Sequence, residues 1–273
     1  MHTVMLVKSI YKVSKSRGYT IVEMMVAAAV ASIVALAVGS IYLSSNNTRR
    51  VQEMQNRMSE DGRYAMFMLN KIIAQAGFRP APSSNAYTDL GNQMRITPDG
   101  TDPDKKATIR FQNDNTNVIG CNGQVISGSG TTQALSISWS GTIGDPLVCN
   151  NGSNMSWIGD STGGVDTSVQ VADFLLTYGL DTTKTNTNVT YVCDIGANTG
   201  TGDCIADSYN SSPSGSYEIV SVRACLVLRS SQVSTEVAKA ADYNDCSGNP
   251  INNSQTDGRL YRTFSTTVVM RNR

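Results

Sequence analysis

One histidine, six cysteines and a lone carboxylate at the head of an apolar run are the residues of this 273-residue chain whose type and spacing could support chemistry. The histidine, His2, stands in a short basic stretch at the start. Loss of that stretch would leave no imidazole, removing Ser-His-Asp and Cys-His catalysis and every His-ligated metal site together. No serine elbow, phosphate-cradling loop or carboxylate pair stands out either, so the expectation is no enzyme, no cofactor and no metal. Cys121, Cys149, Cys193, Cys204, Cys225 and Cys246 are even in number, all follow the apolar run, and none forms a C-x-x-C pair. That pattern favours a disulfide framework in an oxidising compartment over metal or redox chemistry. Many pairings are open. The expected one is sequential, Cys121 with Cys149, Cys193 with Cys204 and Cys225 with Cys246, each closing a polar loop between or beside predicted strands.

The carboxylate is Glu23. It precedes twenty residues, 24–43, without a charge, whose polarity is limited to Ser32, Ser40 and Tyr42 and whose only glycine is Gly39. As a helix rising ~1.5 Å per residue this segment spans ~30 Å and can cross a bilayer once. Upstream stand Lys8, Lys12, Lys15 and Arg17, with no acidic residue before Glu23, so the positive-inside rule places residues 1–18 in the cytoplasm and the bulk of the chain across the membrane. A carboxylate costs ~2.5–3.5 kcal/mol at the centre of a membrane helix and less near an end, and it usually has a partner. Two readings stand: the interfacial glutamate of an ordinary signal anchor, or a carboxylate that meets a cation. A cut between Gly18 and Tyr19 would supply that cation as a new α-amino group four residues from Glu23, on its own or a neighbouring chain. Such a cut discards the basic leader and keeps the apolar segment, the reverse of a secretory signal peptide.

A basic leader ending in Gly18, then Tyr19, Thr20, Ile21, Val22, Glu23 and a long apolar run, resembles the class III signal of type IV pilins and type II secretion pseudopilins. The resemblance implies that a prepilin peptidase cuts after Gly18 and methylates the amine of Tyr19. It also implies that Glu23 guides the subunit into a filament by pairing with a neighbour's amino terminus. The first mature residue in that family is usually phenylalanine, where this chain has Tyr19. Major pilins commonly carry a helix proline near the position of Gly39 and Ser40, and its absence here points away from a major subunit.

The remainder, 40% hydrophobic and 16% charged with 23 glycines over the whole chain, suits an extracytoplasmic globular domain with polar loops. Cleavage after Gly18 leaves 255 residues and removes four basic and no acidic residues, so 22 Lys+Arg fall to 18 against 22 Asp+Glu, a balance of −4. Bulk charge therefore does not indicate a nucleic-acid binder. The densest basic group, Arg79, Arg95, Lys105, Lys106 and Arg110, reads first as a solvated face, with a DNA contact as its alternative, which leaves nucleic acid an open partner.

Between residues 49 and 76 there is no proline, and Val51, Met54, Met58, Ala65, Met68, Ile72 and Gln75 or Ala76 recur three and four apart. This predicts an amphipathic helix whose apolar stripe is core. Met54, Met58, Met66 and Met68 read as gap-fillers rather than a cofactor site. Asp61 and Gly62 predict a local weakening, and Gly77 with Pro80 and Pro82 beyond it a stop. Residues 79–106 read as a turn-rich surface connection. Strands are expected at 107–112, 135–140, 174–178, 189–193, 220–229 and 264–270, with no helical pattern between them, which favours an antiparallel sheet covered on one face by the helix. The expected divisions are a leader at 1–18, a transmembrane or filament-core helix at 19–43, an amphipathic helix at 44–78 and a β-rich periplasmic head at 79–273. The fold class is α+β and resembles the pilin architecture: a long N-terminal helix, half transmembrane and half amphipathic, packed on an antiparallel β-sheet with disulfide-closed loops.

The large head, Asp61-Gly62-Arg63-Tyr64, the run Ile73 to Phe78, Tyr178-Gly179-Leu180-Asp181, the 220–229 strand and the ending Met270-Arg271-Asn272-Arg273 are similar to the minor pilin PilW family. Relatives often carry an Asp-rich segment after the Tyr-Gly-Leu-Asp stretch. Here Thr182, Thr183 and Lys184 follow, and the lysine opposes a calcium site. Asp194, Asp203 and Asp207 read as a polar disulfide loop, and Asp99, Asp102 and Asp104 as turn residues. Ala27, Ala28, Ala29, Ala31, Ala35, Ala37 and Gly39 permit close approach of neighbouring helices, and a head-to-tail contact that does not close makes a filament. The resemblance implies a subunit of the inner membrane, its head periplasmic, that joins other minor pilins to prime the type IV pilus. Its further partners would be the major pilin, the prepilin peptidase and the assembly platform. After assembly it would lie at the pilus and cell surface, supporting twitching, adhesion or DNA uptake. A large, J-like type II secretion pseudopilin and a signal-anchored periplasmic binding domain are the alternatives.

Overall fold

The computed structural model describes residues 18–81, 89–91, 93–159, 169–185, 204–214, 217–234, 237 and 242–272. Residues Met1–Arg49 and Arg50–Arg273 form two compact units. Helix α1 (Ile21–Ala74) begins in the first and ends in the second. Its start is fixed by Thr20, whose Oγ1 accepts the Glu23 N–H at 3.2 Å and whose carbonyl accepts from Met24 N at 3.1 Å, the arrangement of an N-cap. In the first unit every described residue from 18 to 45 is exposed.

In the second unit the apolar stripe of α1 goes under: Met58, Gly62, Ala65, Met68, Leu69, Ile72 and Ile73 are buried, while Val51 and Met54 are only half-buried. The helix runs unbroken through Asp61 and Gly62, where a weakening was expected. Gly62 is there for closeness rather than flexibility, since a Cβ on it would lie 2.3 Å from the ring carbons of Phe264. At the other end Gly77 stops the helix in the left-handed region, φ +76°, where glycine carries no steric penalty. Its N–H leaves the helix and donates to Arg110 O at 2.8 Å.

Among the described residues, nine strands form two antiparallel sheets, where the alternating patterns suggested one. The first runs in the order β1 (Ile96–Pro98), β2 (Lys106–Asp114), β3 (Ser129–Ser138), β4 (Leu147–Asn150) and β5 (Asn154–Ile158). The second, with β6 (Val169–Thr185), β7 (Ser208–Asn210), β8 (Tyr217–Ser230) and β9 (Tyr261–Val269), has the order β7-β6-β8-β9. Strand β2 shows why these residues are strand: Ala107, Ile109, Phe111 and Asn113 are buried and their neighbours are not. A single core takes Met68, Leu69 and Ile72 from α1, Ile109, Phe111 and Ile137 from the first sheet, and Phe174, Leu176, Val222 and Leu226 from the second. The 79–106 connection is more than surface, because it contributes buried Leu90 and Arg95 and the edge strand β1. The strand expected at 189–193 lies outside the described residues.

Asn113 and Tyr178 are polar residues of this core whose buried groups have partners. Asn113, fully buried, donates through Nδ2 to Ser127 O at 2.8 Å and accepts on Oδ1 from Thr131 N at 3.1 Å. Tyr178 donates its hydroxyl to Pro103 O at 2.6 Å, and burial first, then Asp104 and Asp99, pushes that phenol well above its ordinary range. Cys121 is bonded to Cys149 and Cys225 to Cys246, and Cys204 is also oxidised; Cys193 lies outside the described residues. The Cys225–Cys246 bridge fastens a loop onto the outer face of the second sheet, where Ala172, Val227 and Ile251 form a small second core with Tyr243 stacked on Tyr261 at 5.4 Å. Closing a loop of this length contributes about 3 kcal/mol.

The Gly62 contact sets how near α1 lies to β9. Gly62→Ala is expected to lower the stability of the full chain in detergent by about 1–3 kcal/mol, read as a fall in its thermal midpoint, with Phe264→Leu recovering part of the loss. A Gly62→Ala chain that melts like its parent would contradict that packing.

Candidate functional site

The first turns of α1 assemble the features that the sequence singled out. Gly18, Tyr19 and Thr20 lie just outside the helix, non-helical and exposed, with Tyr19 77% exposed and open space around Gly18. Glu23 falls on the third helical residue, where the free N–H groups and the positive end of the helix dipole favour a carboxylate. Thr20 and Glu23 thus have the spacing of a capping box, a signal readable in the sequence that the reading of Glu23 as an ion-pair partner passed over.

From Glu23 one face of the helix is lined by Val26, Ala27, Val30, Ala31, Val34, Ala35 and Val38. These positions recur three and four apart, so Ala27, Ala31 and Ala35 make a low ridge between valines with Glu23 at its head. Two of the three polar residues of the run carry their partners within the helix: Ser32 Oγ donates to Ala29 O and Ser40 Oγ to Ala37 O, both at 2.8 Å. These two serine hydroxyls therefore place no unsatisfied group on the apolar surface. Among the described residues, α1 is the helix long and apolar enough to cross a membrane.

Residues 13–39 match the model of the prokaryotic N-terminal methylation motif, and residues 145–272 match that of PilW, type IV pilus-assembly protein W. The second half of the chain is thus similar to the PilW family, and its start to prepilin-type methylation signals. A solved structure similar to it is that of the type IV-like pilin TTHA1219 from Thermus thermophilus, with 11% identity, 79% of this chain and 96% of that one covered and a TM-score of 0.42. No curated protein matches the sequence. The PilW match covers β4 to β9, hence the whole second sheet, while the methylation motif covers the leader junction, the cap and most of the alanine ridge.

Outside α1 the structure disperses the other candidates. The basic group ahead of the PilW match is not an open patch: Arg79 pairs with Asp89 at 2.8 Å, Arg95 with Glu218, and Lys106 with Asp99 at 2.9 Å. Arg110 is half-buried, donating to Thr97 Oγ1 at 2.7 Å, and burial lowers its pKa. Lys106, then the backbone N–H groups of Thr101 and Asp102, hold the Asp99 carboxyl down at about 2. Within the PilW match, Asp181 is fully buried and accepts from Cys204 N at 2.9 Å. Asp173 accepts from Cys246 N at 2.7 Å, and burial raises its pKa. Both carboxylates hold disulfide loops. Asp194 and Asp203 lie outside the described residues, and among the described ones no group of three or more His, Cys, Asp or Glu side chains could hold a metal.

The two kinds of ion pair should respond differently. Arg95 and Glu218 side chains are 8% and 13% exposed, against 46% and 24% for Lys106 and Asp99. Arg95→Met, which strands a buried carboxylate, is expected to cost about 3–5 kcal/mol, and Lys106→Gln under about 1 kcal/mol. Denaturant unfolding of the full chain in detergent measures both, and equal losses would contradict the assignment.

Proposed function

We propose that this chain is a minor pilin that helps prime and assemble the type IV pilus. The observation that carries the reading is a fully exposed apolar helix start, headed by one carboxylate, in a chain that matches the prepilin methylation motif. A prepilin peptidase cuts after Gly18 and methylates the amine of Tyr19. Until assembly, residues 19–43 of the processed chain span the inner membrane, with the head, residues 79–273, in the periplasm and 44–78 packed on it. Extraction into a fibre then replaces lipid by the helices of other subunits.

Glu23 is the residue that makes the exchange selective. At the bilayer interface its carboxylate keeps contact with water and headgroups. Among packed helices it must be paired, and a neighbour's new α-amino group is the cation that the same cleavage creates. A few copies, with other minor pilins on the assembly platform, would start the fibre on which the major pilin is added and remain at its tip. Twitching, adhesion or DNA uptake would follow from the presence of the fibre. Catalysis has no part in this role.

Two measurements test it. Mass spectrometry of the chain from native membranes is expected to show a mature terminus at methylated Tyr19, and a chain retaining Met1 would leave only a signal anchor. Glu23→Ala is expected to insert and fold as the parent does, while incorporation into fibres falls roughly tenfold or more, the factor expected for losing one charge-assisted contact. Wild-type piliation by that variant would remove Glu23 from the mechanism.

A further inference from the structure

Strand β9 is the long open edge of this fold. It ends the second sheet and pairs with β8 over all nine residues in an uninterrupted register, Tyr261 with Arg229 through Val269 with Ser221. The other terminal strands are short: β1 has three residues including Pro98, β7 three and β5 five. Short strands and proline are ordinary ways to blunt an edge, and β9 has neither.

Hydrogen-bond direction along β9 follows from the bonds around it. Met270 N donates inward to Val220 O, whereas Thr263 N points away from the sheet and donates to the hydroxyl of Tyr243 at 2.9 Å. In an antiparallel ladder the direction alternates residue by residue, so Ser265, Thr267 and Val269 also turn their main-chain groups outward, roughly 6.8 Å apart. All three residues are exposed, and among the described residues nothing accepts from or donates to those groups. From Thr263 to Met270 there is no charge, and an arginine stands at each end, Arg262 and Arg271. Both are exposed, and neither has a carboxylate within ion-pair distance among the described residues.

We propose that this edge is a docking site for an extended segment of another polypeptide, uncharged in the middle and acidic at its ends, added beside β9 as a fifth strand. Main-chain groups at 265, 267 and 269 supply the attachment, and Arg262 and Arg271 select the flanking carboxylates. A second copy of the same strand is a poor occupant. Paired antiparallel about Thr267, it would set Arg271 of each copy opposite Thr263 of the other, one residue from its Arg262, so that each end would gather two arginines and no carboxylate. Docking does not depend on Glu23 or on the role in pilus assembly.

The test uses the full chain in detergent and a labelled synthetic peptide, Glu-Thr-Val-Thr-Val-Thr-Val-Thr-Val-Glu, long enough to run from Arg271 to Arg262, followed by fluorescence anisotropy. Saturable binding is expected, weakened roughly tenfold or more by complete N-methylation of the peptide or by replacing its end glutamates with lysines. Thr267→Pro should abolish binding while leaving circular dichroism and melting unchanged, because the N–H it removes is outside the β8–β9 ladder and proline is tolerated on an edge. If that variant misfolds, the double variant Arg262→Glu with Arg271→Glu serves instead, and it should reverse the preference toward the lysine-ended peptide. No saturable binding, equal binding of the N-methylated peptide, or an unchanged preference in the double variant would each overturn the proposal. So would self-association of the chain alone that Thr267→Pro abolishes, since the occupant would then be a second copy.

Discussion

Water cannot cover residues 24–43 at low cost. Ile33, Leu36, Ile41 and Leu43 are each at least 65% exposed, and their neighbours on every side of the helix are apolar as well. At about 25 cal/mol per Å² of apolar surface, an uncovered helix of this length would cost more than the whole net stability of a typical domain. Something outside the chain must therefore cover it. Lipid and the helices of other subunits are the two media that can, and both require the backbone and hydroxyl groups to be satisfied within the helix. Ser32 and Ser40 meet that requirement through their i−3 carbonyls. The helix start is thus compatible with either medium, and Glu23 is the residue whose cost differs between them.

Covering also explains why the second unit is built as it is. From Met58 to Ile73 the same helix has only one apolar stripe, and it shares one core with residues of both sheets. A strand that faces the core on one side and solvent on the other reads as strict alternation, and β2 and β3 were legible for that reason. Alternation says nothing about which sheet a strand joins, so the division into two sheets was not legible. Strands β4, β5 and β7 have three to five residues, with too few apolar positions to show a period. Strand β6 continues past its apolar part to Thr185, held by pairing with β8 rather than by its own pattern.

Individual contacts were legible in proportion to how local they are. The stop at Gly77 and the cap at Thr20 lie within a few residues of what they act on, and their signals stand in the sequence. Gly62 was read from its local propensity, but its cause, the ring of Phe264, lies some two hundred positions away. The same holds for the basic residues. Arg95 and Glu218 are 123 residues apart, and nothing near either one says that they meet. A cluster of arginines and lysines in a sequence looks like a solvated face because burial of a charge cannot be seen until its partner is placed.

The two parts of α1 differ in how their polar groups are satisfied, and this difference separates what can change surroundings from what cannot. In the apolar part the partners are three residues away in the same helix. In the packed part they come from distant positions. Gln75, buried, donates to Ile119 O at 2.9 Å and accepts from Ile119 N at 3.0 Å. Asn272 Nδ2 donates to Ala74 O at 2.9 Å, and Arg95 Nη1 to Asn272 O at 3.0 Å. Pulling this end of α1 away from the sheets would strand buried donors and acceptors at about 1–3 kcal/mol each, and more for the charged pair. Pulling the other end out of one apolar medium into another strands neither serine hydroxyl. A helix that changed its apolar surroundings while its head stayed folded would need that asymmetry, and here it follows from where the serines and the buried polar residues find their partners.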